Sequence, residues 1–514
     1  MKRNGGQMGS NKKGEIINKI LESCLFSEYL PSEFNTKGLL KECLENIPSE
    51  SHKPLCFTMD KFNDYNSRRN IFVPTVISFV DVVEVLYSST IIDKILNKNK
   101  RNKHSLSKII NENNEIKQFS DGYGFVINND KQITQNNHEV MNDFQNNLKI
   151  KLQKAQGCEC ILHLDISNFY NSIYTHNIRA ILHGADWANE QYSFEMQSLN
   201  ENLDQDYKEL RRLDSKIAAM NRRRTHGILT GPRISFIIAE SLLTIVDQEL
   251  EEMLNKKSID FVRYMDDYDV FIKNANDIEF VKQVFNSVLE KYGLLINDSK
   301  TSVEYFLYYV YIDFDSYKEE SSDIISMYSK YANLEKSGLQ NGAILYFSQN
   351  ILSNYTSDNM ALSLSFSILK NIPKALKSCC VNITTIHSNN KIDDDIEKML
   401  SDMLNEFLAQ KKDLECIWVL YTLLKMFPMH PIDNIIKEYQ LNDFCLVICL
   451  NESKSLNNFE ILKKQAKNCG WLLNYELFFK GEITLDELQS NLNLKDAGYY
   501  GFLKDKGINF YKLK

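Results

Sequence analysis

Hydrophobic and polar positions change period twice along this chain. Near the start, Ile16, Ile17, Ile20, Leu21 and Leu25 recur at the spacing of one helix face. Residues 66–96 open on the basic Ser67-Arg68-Arg69, pass through Ile71-Phe72-Val73-Pro74 and continue as a long apolar helix. Residues 97–150 are polar and Asn-rich, with a hairpin or loop expected around Gly122-Tyr123-Gly124-Phe125-Val126. Short, nearly continuous apolar runs then predict strands, first a buried one over 160–166 and later a hairpin over 259–273. Between them lie a charged helical stretch (187–224), a glycine-punctuated loop (226–232) and an apolar helix (233–255). A helix over 276–292 and a turn and strand over 293–312 follow. The order strand, helix, loop-helix, hairpin, helix, strand predicts an α+β layer, a mixed sheet with helices on one face.

From about residue 320 the strand signals thin out. Helical patterns recur over 331–352, 358–372, 392–410, 414–426, 432–450, 457–468 and 484–494, separated by short polar turns and without a clean repeat period. The expected organisation is an N-terminal helical extension (1–60), an α+β unit (61–315) and an all-α helical-repeat domain (316–514).

Composition changes this picture little. The chain has 514 residues, 43% hydrophobic and 25% charged, enough for a large core. No apolar run is long enough to span a bilayer. The N-terminal stretch is basic and polar with no apolar core behind it, so no secretory signal and a cytoplasmic location are expected. The eleven cysteines form no CxxC pair, which points away from zinc and towards reduced thiols. The net charge of −8 is unevenly spread. Lys94, Lys98, Lys100, Arg101, Lys103 and Lys108 form one basic stretch, and Arg211, Arg212, Lys216, Arg222, Arg223 and Arg224 another. Each reads equally well as a solvated face or as a track for phosphates.

The candidate chemistry sits at the tip of the hairpin. Tyr264-Met265-Asp266-Asp267 places two adjacent carboxylates on a tight turn, costly unless a cation lies between them and a partner. A carboxylate from a second strand would complete such a site, and Asp165, at the end of the buried strand Leu162-His163-Leu164-Asp165-Ile166, is the donor at hand. An aspartate at a strand-to-helix junction also caps helices. His176 and His183 lack a further ligand at metal-binding spacing and read as structural hydrogen-bonding groups.

Asp165, then Gly227-Ile228-Leu229-Thr230-Gly231-Pro232-Arg233-Ile234-Ser235, then the Tyr-Met-Asp-Asp turn, then Gly293-Leu294-Leu295-Ile296-Asn297-Asp298-Ser299-Lys300-Thr301 stand in the order of reverse-transcriptase motifs A to D. Over about residues 60–312 the chain resembles reverse transcriptases. The resemblance implies a palm-and-fingers fold, two-metal nucleotidyl transfer with Mg2+ (or Mn2+), and dNTPs and nucleic acid as partners. It implies that Asp165 and Asp266 bridge the metals, with Ile166 beside them and Asp267 as the weaker third acid. It places Lys300 near the triphosphate, Tyr170 against the incoming sugar, Arg68 and Arg69 at its phosphates, and Ile166, Phe169, Gly231, Pro232 and Ser235 in the nucleotide-binding set. Leu229-Thr230-Gly231 stands where templated enzymes carry Pro-Gln-Gly. With Ser235, Ala239 and Glu240 following, this is similar to the bacterial abortive-infection and unknown-group defence reverse transcriptases, as is the helical C-terminal third. That group implies antiphage DNA synthesis, primed on a protein hydroxyl without a template or copying a partner noncoding RNA, in a homo-oligomer away from membranes. Tyr421, Tyr439, Tyr475, Tyr499, Tyr500 and Tyr511 are C-terminal hydroxyls of the kind priming requires. The alternatives are a templated enzyme of retron or group II intron type and a scaffold that binds RNA or protein without catalysis.

Overall fold

In the computed structural model, residues 10–48, 53–61, 64–110, 137–308, 323–337, 342–355, 358–390, 395–456 and 459–512 are described. The hairpin or loop expected around Gly122–Val126 lies outside them. Two sheets form. The first is a hairpin of β1 (Leu55–Lys61) and β2 (Asp64–Val73). The second joins β3 (Cys160–Asp165), β4 (Asp260–Tyr264), β5 (Asp267–Ile272) and β6 (Ser302–Tyr305), antiparallel in the order β4-β5-β3-β6.

Side-chain alternation divides this second sheet into two faces. Leu162, Phe261, Tyr268, Val270 and Ile272 enter the main core with Val281 and Phe285 of helix Ile278–Glu290. Phe285 meets the rings of Tyr268 and Phe261 edge-on at 5.1 and 6.3 Å. On the opposite face Ile161, Val262 and Phe271 form a smaller cluster with Leu106 and Ala155. Cover on both faces corrects the expected one-sided layer. The second cover comes from the end of helix Asn137–Lys154, inside a segment whose polar composition shows no such face. The outer edge of β4 is closed by residues 104–106. The Arg263 amide donates to the His104 carbonyl (2.8 Å), and the Leu106 amide to the Arg263 carbonyl (2.7 Å).

The long helix expected before residue 96 is two, Val76–Ser88 and Ile91–Arg101, parted where Ser88, Ser89 and Thr90 interrupt the apolar run. The charged stretch 187–224 also divides, into Ala185–Met196 and Gln205–Met220. Helix Arg233–Leu254 forms as predicted.

From Ile324 onward every described element is helical. Leu376–Asn390 and Trp471–Phe479 go unmarked by periodicity. The first is rich in β-branched, Ser and Asn residues, and the second is buried on nearly all sides, so neither shows an amphipathic stripe. The array returns to the start of the chain. The Asn35 amide donates to the Phe510 carbonyl (3.1 Å) and the Lys512 amide to the Glu33 carbonyl (3.0 Å). Phe34, 4% exposed, meets Phe444 and Tyr511 edge-on with centroids 5.4 and 4.9 Å away.

Phe34→Ala is expected to cost about 3–5 kcal/mol, because a buried aromatic joining both ends of the chain leaves a cavity that aligned rings cannot close. Guanidinium unfolding followed by fluorescence measures this. A loss under about 1 kcal/mol would show that the junction does not hold the array.

Candidate active site

The turn joining β4 to β5 is the least relaxed part of the sheet. Tyr264 and Asp267 are paired, leaving Met265 and Asp266 as a two-residue loop. Such loops match strand twist only with a left-handed residue, and Met265 takes φ 54°. Both of its backbone polar groups are tied down. Its amide donates to Ser107 Oγ (2.9 Å) and its carbonyl accepts from an Arg263 guanidinium nitrogen (2.9 Å).

Arg263 is fully buried, as are Glu240 and Asp247 of helix Arg233–Leu254. The guanidinium donates to both Glu240 oxygens (2.8 and 2.9 Å) and to both Asp247 oxygens (2.7 to 3.0 Å). Two carboxylates against one guanidinium leave a negative excess, which neutral donors share out. Ser105, Ser107 and Asn99 donate to Glu240 at 2.6 to 3.1 Å, and Asn102 and the Tyr268 hydroxyl donate to Asp247 at 2.6 and 3.1 Å. The opposite charges of Asp247 and Glu240 hold the Arg263 guanidinium well above its usual pKa despite burial.

The acids meet on the sheet's second face. Register pairs Asp165 with Asp267 and, two residues back, His163 with Asp269. Cross-strand partners have Cβ atoms about 5 Å apart. Asp266 is drawn to the same point from the turn, where its carbonyl accepts from the Ile166 amide (3.2 Å). Asp165, 6% exposed, accepts from Asn297 Nδ2 (2.9 Å) and Lys300 Nζ (2.7 Å), and its carbonyl accepts from the Asn297 amide (2.8 Å). Burial and the charge of Asp165 raise the Asp266 pKa. Burial, the charges of Asp266 and Asp165, and a hydrogen bond with Asp165 push Asp267 up to about 7. Asp267 keeps an exposed edge, so the repulsion is the part a cation would remove. The hydrogen bond to Asp165 raises the Lys300 pKa, so the ammonium persists as the local counter-charge.

The β1–β2 hairpin meets this site through the loop before helix Arg233–Leu254. The Phe72 amide donates to the Thr230 carbonyl (2.8 Å), and Gly231 takes φ +123° with Ile71 Cγ2 only 2.6 Å from where a Cβ would stand. Glycine is required there for close approach. Pro232 caps the helix. Tyr170 is half-buried, and the field of Asp266 is among the causes raising its hydroxyl pKa, after burial. Arg69 is exposed, and its charge acts on Asp266.

Four residues of the expected nucleotide-binding set, Arg68, Ile166, Phe169 and Ser235, have their side chains engaged elsewhere or enclosed. Arg68 faces away, donating to the carbonyls of Lys411 and Gln410 (2.9 Å for the latter) and pairing with Asp60 (3.1 Å), because consecutive strand residues point to opposite faces. Phe169 (5% exposed) and Ser235 (1%) are enclosed in packing, so their side chains line no open surface. Ile166 is buried, with only its backbone beside the acids. His176 and His183 bond separate carboxylates, Asp214 at 2.9 Å and Asp206 at 3.0 Å. Sequence reasoning missed Asn297 and the Arg263 network. The available signal was Glu240 and Asp247, seven residues apart and so on one face of an otherwise apolar helix.

Residues 126–322 match the family described as reverse transcriptase (RNA-dependent DNA polymerase). The chain therefore carries a reverse transcriptase domain, which indicates RNA-directed DNA polymerase activity. No curated protein sequence matches the chain. Among solved structures, an apo telomerase from Candida tropicalis is similar at 12% identity and TM-score 0.31, covering 76% of this chain and 69% of that one. A telomerase from Candida albicans, solved with the TWJ fragment of telomeric RNA, is similar at 13% identity and TM-score 0.28, covering 80% and 64%. Among the described residues no helix is long and apolar enough to cross a membrane.

Two outcomes are expected here. Arg263→Met leaves Glu240 and Asp247 buried without their cation, and should cost about 3–5 kcal/mol in chemical denaturation. A loss within 1 kcal/mol would sink the assignment. The second concerns pH. Between the ordinary 3.8 and about 7, the folded protein keeps a proton on Asp267 that the unfolded chain has released, so this group penalises folding increasingly as pH rises through that window. In chelator, the thermal midpoint of Asp267→Asn should gain on the parent from pH 5 to pH 8, and added Mg2+ should narrow the gap. A pH-independent offset would refute the repulsion.

Proposed function

We propose that this chain is a DNA polymerase of the reverse-transcriptase type acting in antiphage defence. One observation carries the chemistry: Asp165 and Asp267 stand opposite each other in register with Asp266 beside them, and the cation present is a lysine. Asp165 and Asp266, with the main chain at Ile166 and Asp267 as the weaker third acid, would hold Mg2+. All are hard oxygen donors, and their mutual repulsion is what a divalent cation relieves. Among the described residues no three or more His, Cys, Asp or Glu side chains already stand together as a metal-binding group, so the drawing-in of these acids around a cation is part of the proposal. Water and substrate phosphates would complete the shell, as is usual for Mg2+. Bound there, divalent ions would lower the pKa of an attacking hydroxyl and stabilise the departing pyrophosphate.

The chain's own residues supply the rest. Lys300 neutralises Asp165 in the free protein, and its side chain, 62% exposed, is free to turn to a triphosphate when a cation takes over that carboxylate. Asn297 keeps hold of the other Asp165 oxygen, so the carboxylate stays aimed during the exchange. Arg69 supplies positive charge from the β1–β2 hairpin, in the place of the fingers. Tyr170 lies beside the acids where a sugar would rest.

Membership of the abortive-infection group rests on the motif B departure and on the helical array. Protein priming needs a hydroxyl that reaches the acids. Of the six C-terminal tyrosines weighed above, Tyr475, Tyr499, Tyr500 and Tyr511 are buried and Tyr421 is tied to Glu33 (2.6 Å). Tyr439, half-buried, is the one of the six not enclosed or held in this way.

The test supplies purified protein with Mg2+ and labelled dNTPs, without added primer or template, and resolves products before and after protease. Protein-attached label is expected, absent in Asp266→Ala and reduced in Lys300→Met by about a hundredfold or more. Product that appears only on a primed RNA template would move the chain to the templated class. No product under either condition would leave the scaffold reading.

A further inference from the structure

Two basic stretches stand out in the sequence, and the structure separates them. Most of the first is absorbed by pairing. Lys94 binds Asp206, Lys103 binds Glu251 (2.5 Å), Lys98 reaches Gln248 (3.4 Å) and Lys108 donates to backbone carbonyls. Of the second, Arg211, Arg212, Lys216 and Arg223 line a cleft of about 880 Å³ between helix Gln205–Met220 and the segment after β3. Deep in it, Arg179 is bound to Asp214 (2.8 Å) and Lys216 to Asp81 (2.6 Å). At its mouth the balance fails. Lys208 and Arg223, which line the cleft, and Arg222 and Arg224 on either side of Arg223 in the chain are exposed, and among the described residues their side chains have no acidic partner. On a chain of net charge −8 this local excess is a site-specific feature.

The arginines are held rather than trailing. Arg222 and Arg223 take φ 56° and 59°, a conformation costly for side-chain-bearing residues. Backbone bonds from Arg223 to Ala218 (2.7 Å) and from Arg224 to Asn221 (3.1 Å) fix the turn. Next to it, Tyr174 (46% exposed) and the exposed His226 place their rings 4.7 Å apart. The same backbone continues to the acids. Tyr174 bridges His226, the Gly227 amide donates to Ile173 (3.0 Å), and the Ile228 amide donates to Tyr170 (2.9 Å). Tyr174 is four positions after Tyr170, at most about 14 Å of chain.

From this arrangement we infer a second nucleic-acid site: the cleft mouth binds single-stranded nucleic acid, with Lys208 and Arg222 to Arg224 on its phosphates and Tyr174 and His226 stacking its bases. Exposed cations beside aromatic faces are what a flexible strand requires, since every base has a π-face and every nucleotide a phosphate. The ledge from Tyr174 to Tyr170 makes this the path by which a strand enters or leaves the acids. The path rests on the polymerase reading, whereas binding at the mouth does not.

Binding is therefore measured without metal or dNTP. Labelled 20-nucleotide oligo-dT and oligo-rU are titrated by anisotropy against the full chain carrying Asp266→Ala, over a series of salt concentrations. Adding R222Q, R223Q and R224Q should weaken binding at least tenfold and lower the slope of log K against log salt by about 2, three phosphate contacts at about 0.7 each. Tyr174→Leu should weaken it about tenfold with the slope unchanged. Lys208→Gln, on an exposed side chain, gives a slope loss of about 0.7 without touching the strained turn. Loss with both probes, or with one, supports the site, and the difference identifies RNA or DNA as its strand. Affinity and slope unchanged in the triple and Lys208 variants, with parental thermal unfolding, would overturn it, whatever the polymerase assay shows.

Discussion

The buried Arg263 guanidinium between Glu240 and Asp247 is the constraint on which the rest depends. Three full charges without solvent are a poor source of stability, since desolvation consumes most of their attraction. Their effect is geometric. The guanidinium ties β4 to helix Arg233–Leu254 and, through the Met265 carbonyl, fixes a left-handed turn that a methionine would not adopt unaided. Ser107 joins Glu240 to the Met265 amide, so both polar ends of the turn's first residue answer to one network. The carboxylates that follow are thereby held close together although they repel each other. The structure spends buried charge to keep exposed charge in place.

How much of this was legible in the sequence follows from which interactions are local. Strand alternation and the Tyr-Met-Asp-Asp turn are set by neighbouring residues, so the strands β3, β4 and β5 and the turn between the last two are legible in the sequence. Asp165 needed a partner strand, and motif order supplied it. Arg263 gave no warning, because an arginine in an apolar run reads as an edge or surface residue. Its burial depends on carboxylates some twenty positions upstream. Arg68 and Arg69 form one basic pair in the sequence, yet strand geometry gives adjacent residues opposite fates. The helices Leu376–Asn390 and Trp471–Phe479 were lost for the converse reason: one lacks an amphipathic stripe and the other is buried on nearly all sides.

The split between Arg68 and Arg69 also joins the two halves of the molecule. The β1–β2 hairpin is gripped on one side by the loop at Gly231, whose missing Cβ admits Ile71 and Phe72. On the other side Arg68 reaches the carbonyls of Gln410 and Lys411, Lys412 pairs with Asp60 (3.0 Å), and Asp413 accepts from the Thr58 amide and hydroxyl (2.8 and 2.9 Å). The helical array thus reaches the acids through two adjacent residues of one strand. Arg68 is its handle and Arg69 the charge that acts on Asp266. A shift of the array that dragged β2 by even one residue of register would exchange these faces, taking the cation from the acids and turning the anchor towards them. Continuity of the array with the hairpin is therefore part of the electrostatics of the site, and the C-terminal third cannot be treated as an appendage to it.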